Sequence, residues 1–256
     1  MSGTPTLTLD GGRATIALQR PDKRNRIEPA DLVALVGHCD TIEADPMVEV
    51  VVIEAEGPSW CSGYHLGALA EGATTEYSFG DLCDRIETLA VPTIAALQGN
   101  VHGGGTDLAV SCDFRIGADH LVAAMPAARI GLQYYAGGLR RFVERIGPDA
   151  TKRFFLTAET MSAEVLERLG FCTEVVPAAE LDQRVDRLVS AIGELAPTAL
   201  RQTKQAINDL SLSGAAADME QIQAGHRASA RSTEHREAMK AIQEKRRPDF
   251  TTAPGL

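Results

Sequence analysis

Residues 101–114 read VHGGGTDLAVSCDF. Three glycines run into an apolar segment that carries one carboxylate, Asp107, near its start. This is the pattern of a helix whose first backbone N–H groups are bare. The first four N–H groups of a helix lack intrahelical partners and carry a partial positive charge. Glycine lets another group approach that backbone closely. Such a terminus suits a phosphate, or an oxyanion that develops during a reaction. No Lys-Ser/Thr pair follows and the spacing is not GxGxxG, so neither common nucleotide loop is present. Taken alone, the stretch reads equally as a tight turn into a closely packed helix. Asp107 also has two readings, a reacting group or the helix's own cap.

The flanking sequence places this stretch in an alternating chain. TIAALQG (93–99) reads as a strand just before the glycines, and DFRIGAD (113–119) as a strand after them. Further back lie TLTL (6–9), a Gly-Gly turn at 11–12 and RATIALQR (13–20). EPADLVALVGHCDTIEAD (28–45) has its apolar residues at helical spacing and Pro29 in its first turn. VEVVVIEA (48–55) is a continuous β-branched run, hence a buried strand. A polar loop is expected at 57–69 and a helix near 79–90. This order predicts an α/β fold. After residue 136 the chain reads mostly as helices, at 137–146, 148–157, 162–169, 178–195, 197–210, 214–230 and 232–245. One short strand, TEVV (173–176), interrupts them. The last part is all helix with few aromatics, so it is expected to pack against something else, and the tail RRPDFTTAPGL to fray.

A second glycine site changes the weight of the first. SWCSGYHL (59–66) follows strand 48–55 as the triple glycine follows strand 93–99. Two strand ends of one sheet can each present an N–H to the same point, and two converging donors make an oxyanion hole.

Composition bounds the rest. The 256 residues are 44% hydrophobic and 23% charged, ordinary for a globular protein, with a net charge of −10. That charge repels a phosphate backbone, so no nucleic-acid partner is expected. Five scattered cysteines without a CxxC pair read as reduced thiols, and with no signal-peptide pattern in MSGTPTLTLDGG the expectation is a cytoplasmic protein. No stretch is long and apolar enough for a membrane span, and the histidines show no metal-ligand spacing.

Several ordered segments resemble the crotonase (enoyl-CoA hydratase/isomerase) superfamily. They are LQRPDKRNRIEP, SWCSGYHLGAL, ALQGNVHGGGTDLAVSCDFRIGAD, MPAARIGLQYYAGGLRRFVERIG and the closing EKRRPDF. The resemblance implies a crotonase-like spiral of ββα units over 1–199, with a C-terminal helical section at 200–256 used in trimer assembly. It implies an acyl-CoA thioester substrate, no cofactor beyond the coenzyme A of that substrate, and a homotrimer or a hexamer built as a dimer of trimers. The matched oxyanion donors are the N–H groups of Ser62 and Gly104, and the matched acid–base residue is Asp107. Arg24 and Lys245 match positions that approach the coenzyme A phosphates and adenine, Lys245 from the chain itself or a neighbouring subunit. Tyr64, Leu66, Ala127 and Tyr135 match positions lining the substrate site.

The sequence also departs from the hydratase pattern. A hydratase uses two carboxylates, one to activate water and one to handle the α-proton. Here Met125-Pro126-Ala127 puts alanine where the second acid belongs. A single carboxylate is consistent with moving a proton between the α and γ carbons, so isomerase-type chemistry is favoured. Tyr134 matches a tyrosine of decarboxylating relatives, and His65 stands beside the oxyanion segment. Either suits decarboxylation of a malonyl-type CoA. A third reading is an acyl-CoA-binding protein without turnover. Cys61 reads as a small buried residue. The polar side chains Tyr64, His65, Tyr134 and Tyr135 point to a short, polar or cyclic acyl group.

Overall fold

The computed structural model describes residues 3–70, 75–213, 218–229 and 231–250. Strands β1 (Thr6–Asp10) and β2 (Arg13–Leu18) form the antiparallel hairpin expected around the Gly-Gly turn. β2 then pairs in parallel with β3 (Val50–Ala55), β3 with β5 (Thr93–Leu97), β5 with β7 (Phe114–Ala118), and β7 with β10 (Glu174–Val176). The six-stranded order is β1-β2-β3-β5-β7-β10. Parallel strands need covered faces, which explains the unbroken apolar runs. Val51, Ile53, Ala95 and Leu97 point into the main core, while Val50, Val52, Ile94 and Ala96 alternate to the opposite face. That second face is covered by α7 (Leu181–Gly193) through Leu181, Val185 and Ile192.

A second sheet runs β4-β6-β8-β9. Its strands are short: β4 (Ser59–Cys61), β6 (Asn100–His102), β8 (Val122–Ala124) and β9 (Met161–Ser162). The expected loop at 57–69 thus contains β4. Three-residue strands are too short to show an alternation of their own, so this sheet is invisible to periodicity. Each of β3, β5 and β7 hands the chain to its neighbour β4, β6 or β8 in the second sheet, and the pair repeats as a spiral of ββ turns. The Trp60 indole, fully buried on β4, donates to the Ile53 carbonyl at 3.3 Å and ties the sheets together.

The helices follow their caps. α1 (Pro29–Ala44) starts on Pro29, with a reciprocal Glu28/Asp31 capping box. α2 (Leu66–Ala70) is short. α3 (Phe79–Thr88) is capped by Ser78, whose hydroxyl accepts from the Asp81 N–H at 3.1 Å. α4 (Gly104–Val110) is the helix that the triple glycine opens. The expected helices 137–146 and 148–157 are both present, as the two parts of one helical stretch. α5 (Ala136–Lys152) breaks at Gly147 (φ 76°), ahead of Pro148, and runs on into a π-helical turn at Arg153–Thr157. α6 (Ala163–Arg168) precedes β10. The C-terminal helices are α8 (Pro197–Ser213), α9 (Met219–Ser229) and α10 (Thr233–Glu244). The 199/200 boundary drawn in the sequence falls inside α8. Leu200 on that helix packs in the core under α7, and Lys204 pairs with Asp113 at 2.6 Å. Part of the helix expected at 214–230, namely 214–217 and 230, lies outside the described residues, as do 1–2, 71–74 and the tail beyond 250. Among the described residues no helix is long and apolar enough to cross a membrane.

Candidate active site

The ends of β4 and β6 meet at the glycines. Gly63 has φ +87°, and a Cβ there would fall 2.6 Å from the Gly104 nitrogen. A Cβ on Gly105 would collide with the Cys61 carbonyl oxygen. Only glycine permits this approach of two backbones. The Cys61 thiol is buried at the same contact, its Sγ accepting the Gly63 N–H at 3.3 Å. Burial pushes that thiol up to about 12, so it remains a neutral packing group.

The expected donor pair needs one correction. The Ser62 N–H is already donated to the Arg24 carbonyl at 3.0 Å and is not free for a substrate. The donor that faces Gly104 belongs to Tyr64. Ile27 bridges this segment through the Gly63 carbonyl (2.9 Å) and the His65 N–H (3.0 Å). In that bridge Tyr64's own N–H points away from Ile27. The Tyr64 nitrogen sits against α4, where a Cβ on Gly104 would lie 3.4 Å from it. The Tyr64 backbone nitrogen, and not that of Ser62, thus lies beside Gly104, and the offset follows from the strand's alternation.

Asp107 is fully buried, and its carboxylate does not cap α4. Gly103 is the N-cap residue, and Asp107 turns its side chain toward α5. Its Oδ1 accepts from Arg141 Nε at 2.9 Å. Its Oδ2 accepts from the Tyr134 hydroxyl at 2.9 Å, from the Tyr135 hydroxyl, and more distantly from Arg141 Nη2 at 3.4 Å. Arg141 Nη2 also donates to the Tyr135 hydroxyl at 2.9 Å. Both phenols are held well above their ordinary range, chiefly by burial and further by Asp107 and Cys83, so they act as hydrogen-bond donors and not as tyrosinates. Burial is the largest single influence on Arg141 and works against its charge, but the hydrogen bond to Asp107 and the nearby Asp107, Cys83 and Tyr135 together outweigh it and keep the guanidinium protonated. Asp107 lies behind the two tyrosines, which are both half-buried.

The other sequence candidates are spread around this centre. Ala127 is buried at the start of a 3-10 turn and brings no second acid. His65 is tied outward, its Nδ1 2.7 Å from Glu28 Oε2. Tyr64 packs its ring on Phe79, centroids 6.2 Å apart. Leu66 is 58% exposed at the start of α2. Arg24 is exposed, and its charge, after burial, helps lower the His102 imidazole below its ordinary value. Lys245 caps the end of α10. That end of the chain is tied to α8 by Glu234, which accepts from the Thr198 N–H at 3.1 Å, and to the end of α7 by Arg247–Glu194 at 2.6 Å.

Sequence reasoning passed over four participants. Arg141 is fully buried, although it follows the half-buried Arg140. Asp84 and Glu87 on α3 both bind Arg141, Glu87 at 3.4 Å. Gly138 leaves room for the Tyr134 ring, and a Cβ there would lie 2.8 Å from Asp107 Oδ2. The available signal was the Arg-Arg pair following Gly137-Gly138. On a helix, adjacent residues point about 100° apart, so two neighbouring arginines need not share the solvent face.

Comparison with known proteins agrees with this architecture. The family model for enoyl-CoA hydratase/isomerase matches residues 9–253. The chain is 31% identical over 221 residues to a carnitinyl-CoA dehydratase of Proteus mirabilis, covering 83% of this chain and 84% of that protein. It is 29% identical over 250 residues to the enoyl-CoA isomerase/hydratase fer4 of Mycosarcoma maydis, covering 92% and 91%. The crystal structure of an enoyl-CoA hydratase/isomerase family member superposes with a TM-score of 0.89 at 26% identity, covering 99% of this chain and 100% of that one. With its two-sheet spiral and a family match along nearly its whole length, the chain belongs to the enoyl-CoA hydratase/isomerase family of enzymes.

Proposed function

We propose that the protein acts on an acyl-CoA thioester and moves a proton along its acyl chain, an isomerase-type reaction through an enolate. The observation that carries this reading is the close approach of the Tyr64 and Gly104 backbones beside a single buried carboxylate, Asp107. The thioester oxygen accepts from both N–H groups. Asp107 takes the proton from the α-carbon of a 3-enoyl chain, and the electron pair spreads onto the oxygen held by those donors. The same carboxyl group returns the proton at the γ-carbon, giving the 2-enoyl thioester with no net gain or loss of atoms. For this, a tyrosine hydroxyl gives way at Oδ2. Hydration is less well supported. Hydration uses a second carboxylate beside the first, and alanine stands at 127.

In this reading coenzyme A belongs to the substrate, and its phosphates meet Arg24 and, across a subunit interface, Lys245. The assembly is a homotrimer or a pair of trimers. Large apolar side chains left exposed on the C-terminal helices support it: Ile207, Leu210 and Leu212 on α8, Met239 and Ile242 on α10.

The filled Oδ2 of Asp107 favours one alternative, decarboxylation of a malonyl-type CoA. That reaction needs the two N–H donors and a group to orient the leaving carboxylate, such as the Tyr134 hydroxyl, but no free base. Mass spectrometry of 2-enoyl, 3-enoyl, 3-hydroxyacyl and methylmalonyl thioesters after incubation in heavy water separates the readings. Deuterium uptake without added water supports isomerisation. Loss of carbon dioxide establishes the alternative, and a gain of water overturns both. Binding with no mass change points to a protein that holds acyl-CoA without turnover. Asp107→Asn is expected to slow isomerisation by about 10²–10⁴ and to affect decarboxylation much less.

A further inference from the structure

One helix touches Tyr64, Gly104, Tyr135 and Arg141. Phe79, the first residue of α3, packs on the Tyr64 ring, and its Cζ would lie 2.9 Å from a Cβ on Gly104. Gly80 accommodates the Tyr135 ring, whose Cε2 would lie 3.0 Å from a Cβ there. Cys83, fully buried, lies beside the Tyr135 side chain. Asp84 and Glu87 then reach Arg141. Arg141 is thus shared: Nε and Nη2 face Asp107 and Tyr135, while Nη1 faces the two α3 carboxylates. The two outer acids differ. Glu87 is 5% exposed and also pairs with Arg140 at 2.5 Å, so it is fixed. The Asp84 side chain is 56% exposed, yet it holds a guanidinium that is wholly buried. An exposed carboxylate is normally solvated and weakly paired. Here the pairing reaches the centre of the site.

We infer that Asp84, acting through Arg141, is a positioning residue for Asp107. It pulls the guanidinium outward, so that Asp107 keeps lone-pair density for a substrate proton. Without Asp84, Arg141 Nη2 shortens its 3.4 Å contact to Asp107 Oδ2 and takes up the lone pair that the substrate proton needs. This rests on the reading of Asp107 as the base.

The test uses the full-length protein and butanoyl-CoA, a saturated thioester whose α-proton exchanges with heavy water by base and oxyanion donors alone. Deuterium incorporation is followed by mass spectrometry against thioester concentration. Asp84→Asn is expected to lower kcat for exchange by about 3–10-fold with KM unchanged, because Asp84 touches Arg141 and not the ligand. Asp84→Glu, which restores the charge, is expected to recover most of the rate. An unchanged kcat in Asp84→Asn, or a loss that Asp84→Glu does not recover, overturns the inference while leaving Asp107 as the base. If Asp107→Asn exchanges as fast as the unaltered protein, or the unaltered protein does not exchange at all, the base reading fails and the inference falls with it. Asp84 is at the surface, and thermal melting of each variant separates a folding defect from a loss of rate.

Discussion

Arg141 and Asp107 are both completely buried and pair with each other at 2.9 Å. Removing one partner of such a pair strands the other in a low-dielectric interior, which typically costs several kcal/mol. Arg141→Met is therefore expected to destabilise the protein by about 3–5 kcal/mol, read as a lower urea midpoint at fixed protein concentration. Arg141→Lys keeps the charge but loses the planar fork that serves Asp107, Tyr135 and Glu87 together, so it is expected to recover only part of that loss. Gly138→Ala is a sharper probe of geometry. Its methyl group would meet the Tyr134 ring and come 2.8 Å from Asp107 Oδ2. The expected outcome is a loss of turnover much larger than the loss of stability, seen by assaying both on the same preparation. Residues such as these divide by legibility. Asp107 and Gly104 stood out because of where they sit in the glycine stretch. Arg141 did not, because an arginine in a sequence reads as surface until a buried acid is placed opposite it. The family pattern points to Ser62, two positions before Tyr64, since the sequence does not show which N–H groups the Arg24 and Ile27 carbonyls occupy.

Secondary elements show the same division. α1 and α3 were legible because their caps and apolar spacing are local. The Ser78 cap of α3 makes that concrete: Ser78→Ala is expected to cost about 1 kcal/mol in thermal melts, and to loosen the helix that carries Asp84 and Glu87. β4, β6 and β8 were not legible, since three residues carry no period and their pairing partners lie some forty or twenty residues away along the chain, at Ser59↔Asn100 and Val101↔Ala123. The end of α10 has its own pH response. Glu237 accepts from Arg246 Nη1 at 2.5 Å and from the Asp249 N–H at 2.9 Å. These bonds hold its carboxyl down to about 2, against an ordinary value of 4.5. A depressed carboxyl contributes its stability above the ordinary value and loses it as pH falls through the folded one. Residues 246–250 are thus expected to detach from α10 between pH 4.5 and 2, seen as a shift of their NMR resonances toward unfolded values.

At the scale of the whole molecule, the spiral brings three distant parts of the chain to one place. β4 supplies the turn with Tyr64, β6 leads into α4 with Gly104 and Asp107, and α5 returns Arg141 and follows the two tyrosines. The exposed apolar residues of α8 and α10 lie on the C-terminal helices that the sequence marked as packing against something else. Light scattering is expected to give a mass that is a multiple of three 27.3 kDa chains, and Ile207→Asp together with Ile242→Asp is expected to lower it. A monomeric mass for the unaltered protein would leave those side chains without the cover proposed here.

The sequence by itself determined the α/β class, the strands of the larger sheet, the glycines where two backbones touch, and the absence of a second acid at Ala127. These are local properties: period, branching, turn chemistry and residue identity act over a few neighbours. Tertiary structure alone decided that Asp107 is a paired, covered carboxylate and not a cap, that Tyr64 and not Ser62 faces Gly104, and that Arg141 is shared with Asp84. Those outcomes depend on which polar groups satisfy one another across the core. A buried hydrogen bond is formed by residues far apart in the chain, and no pattern within either segment encodes its partner.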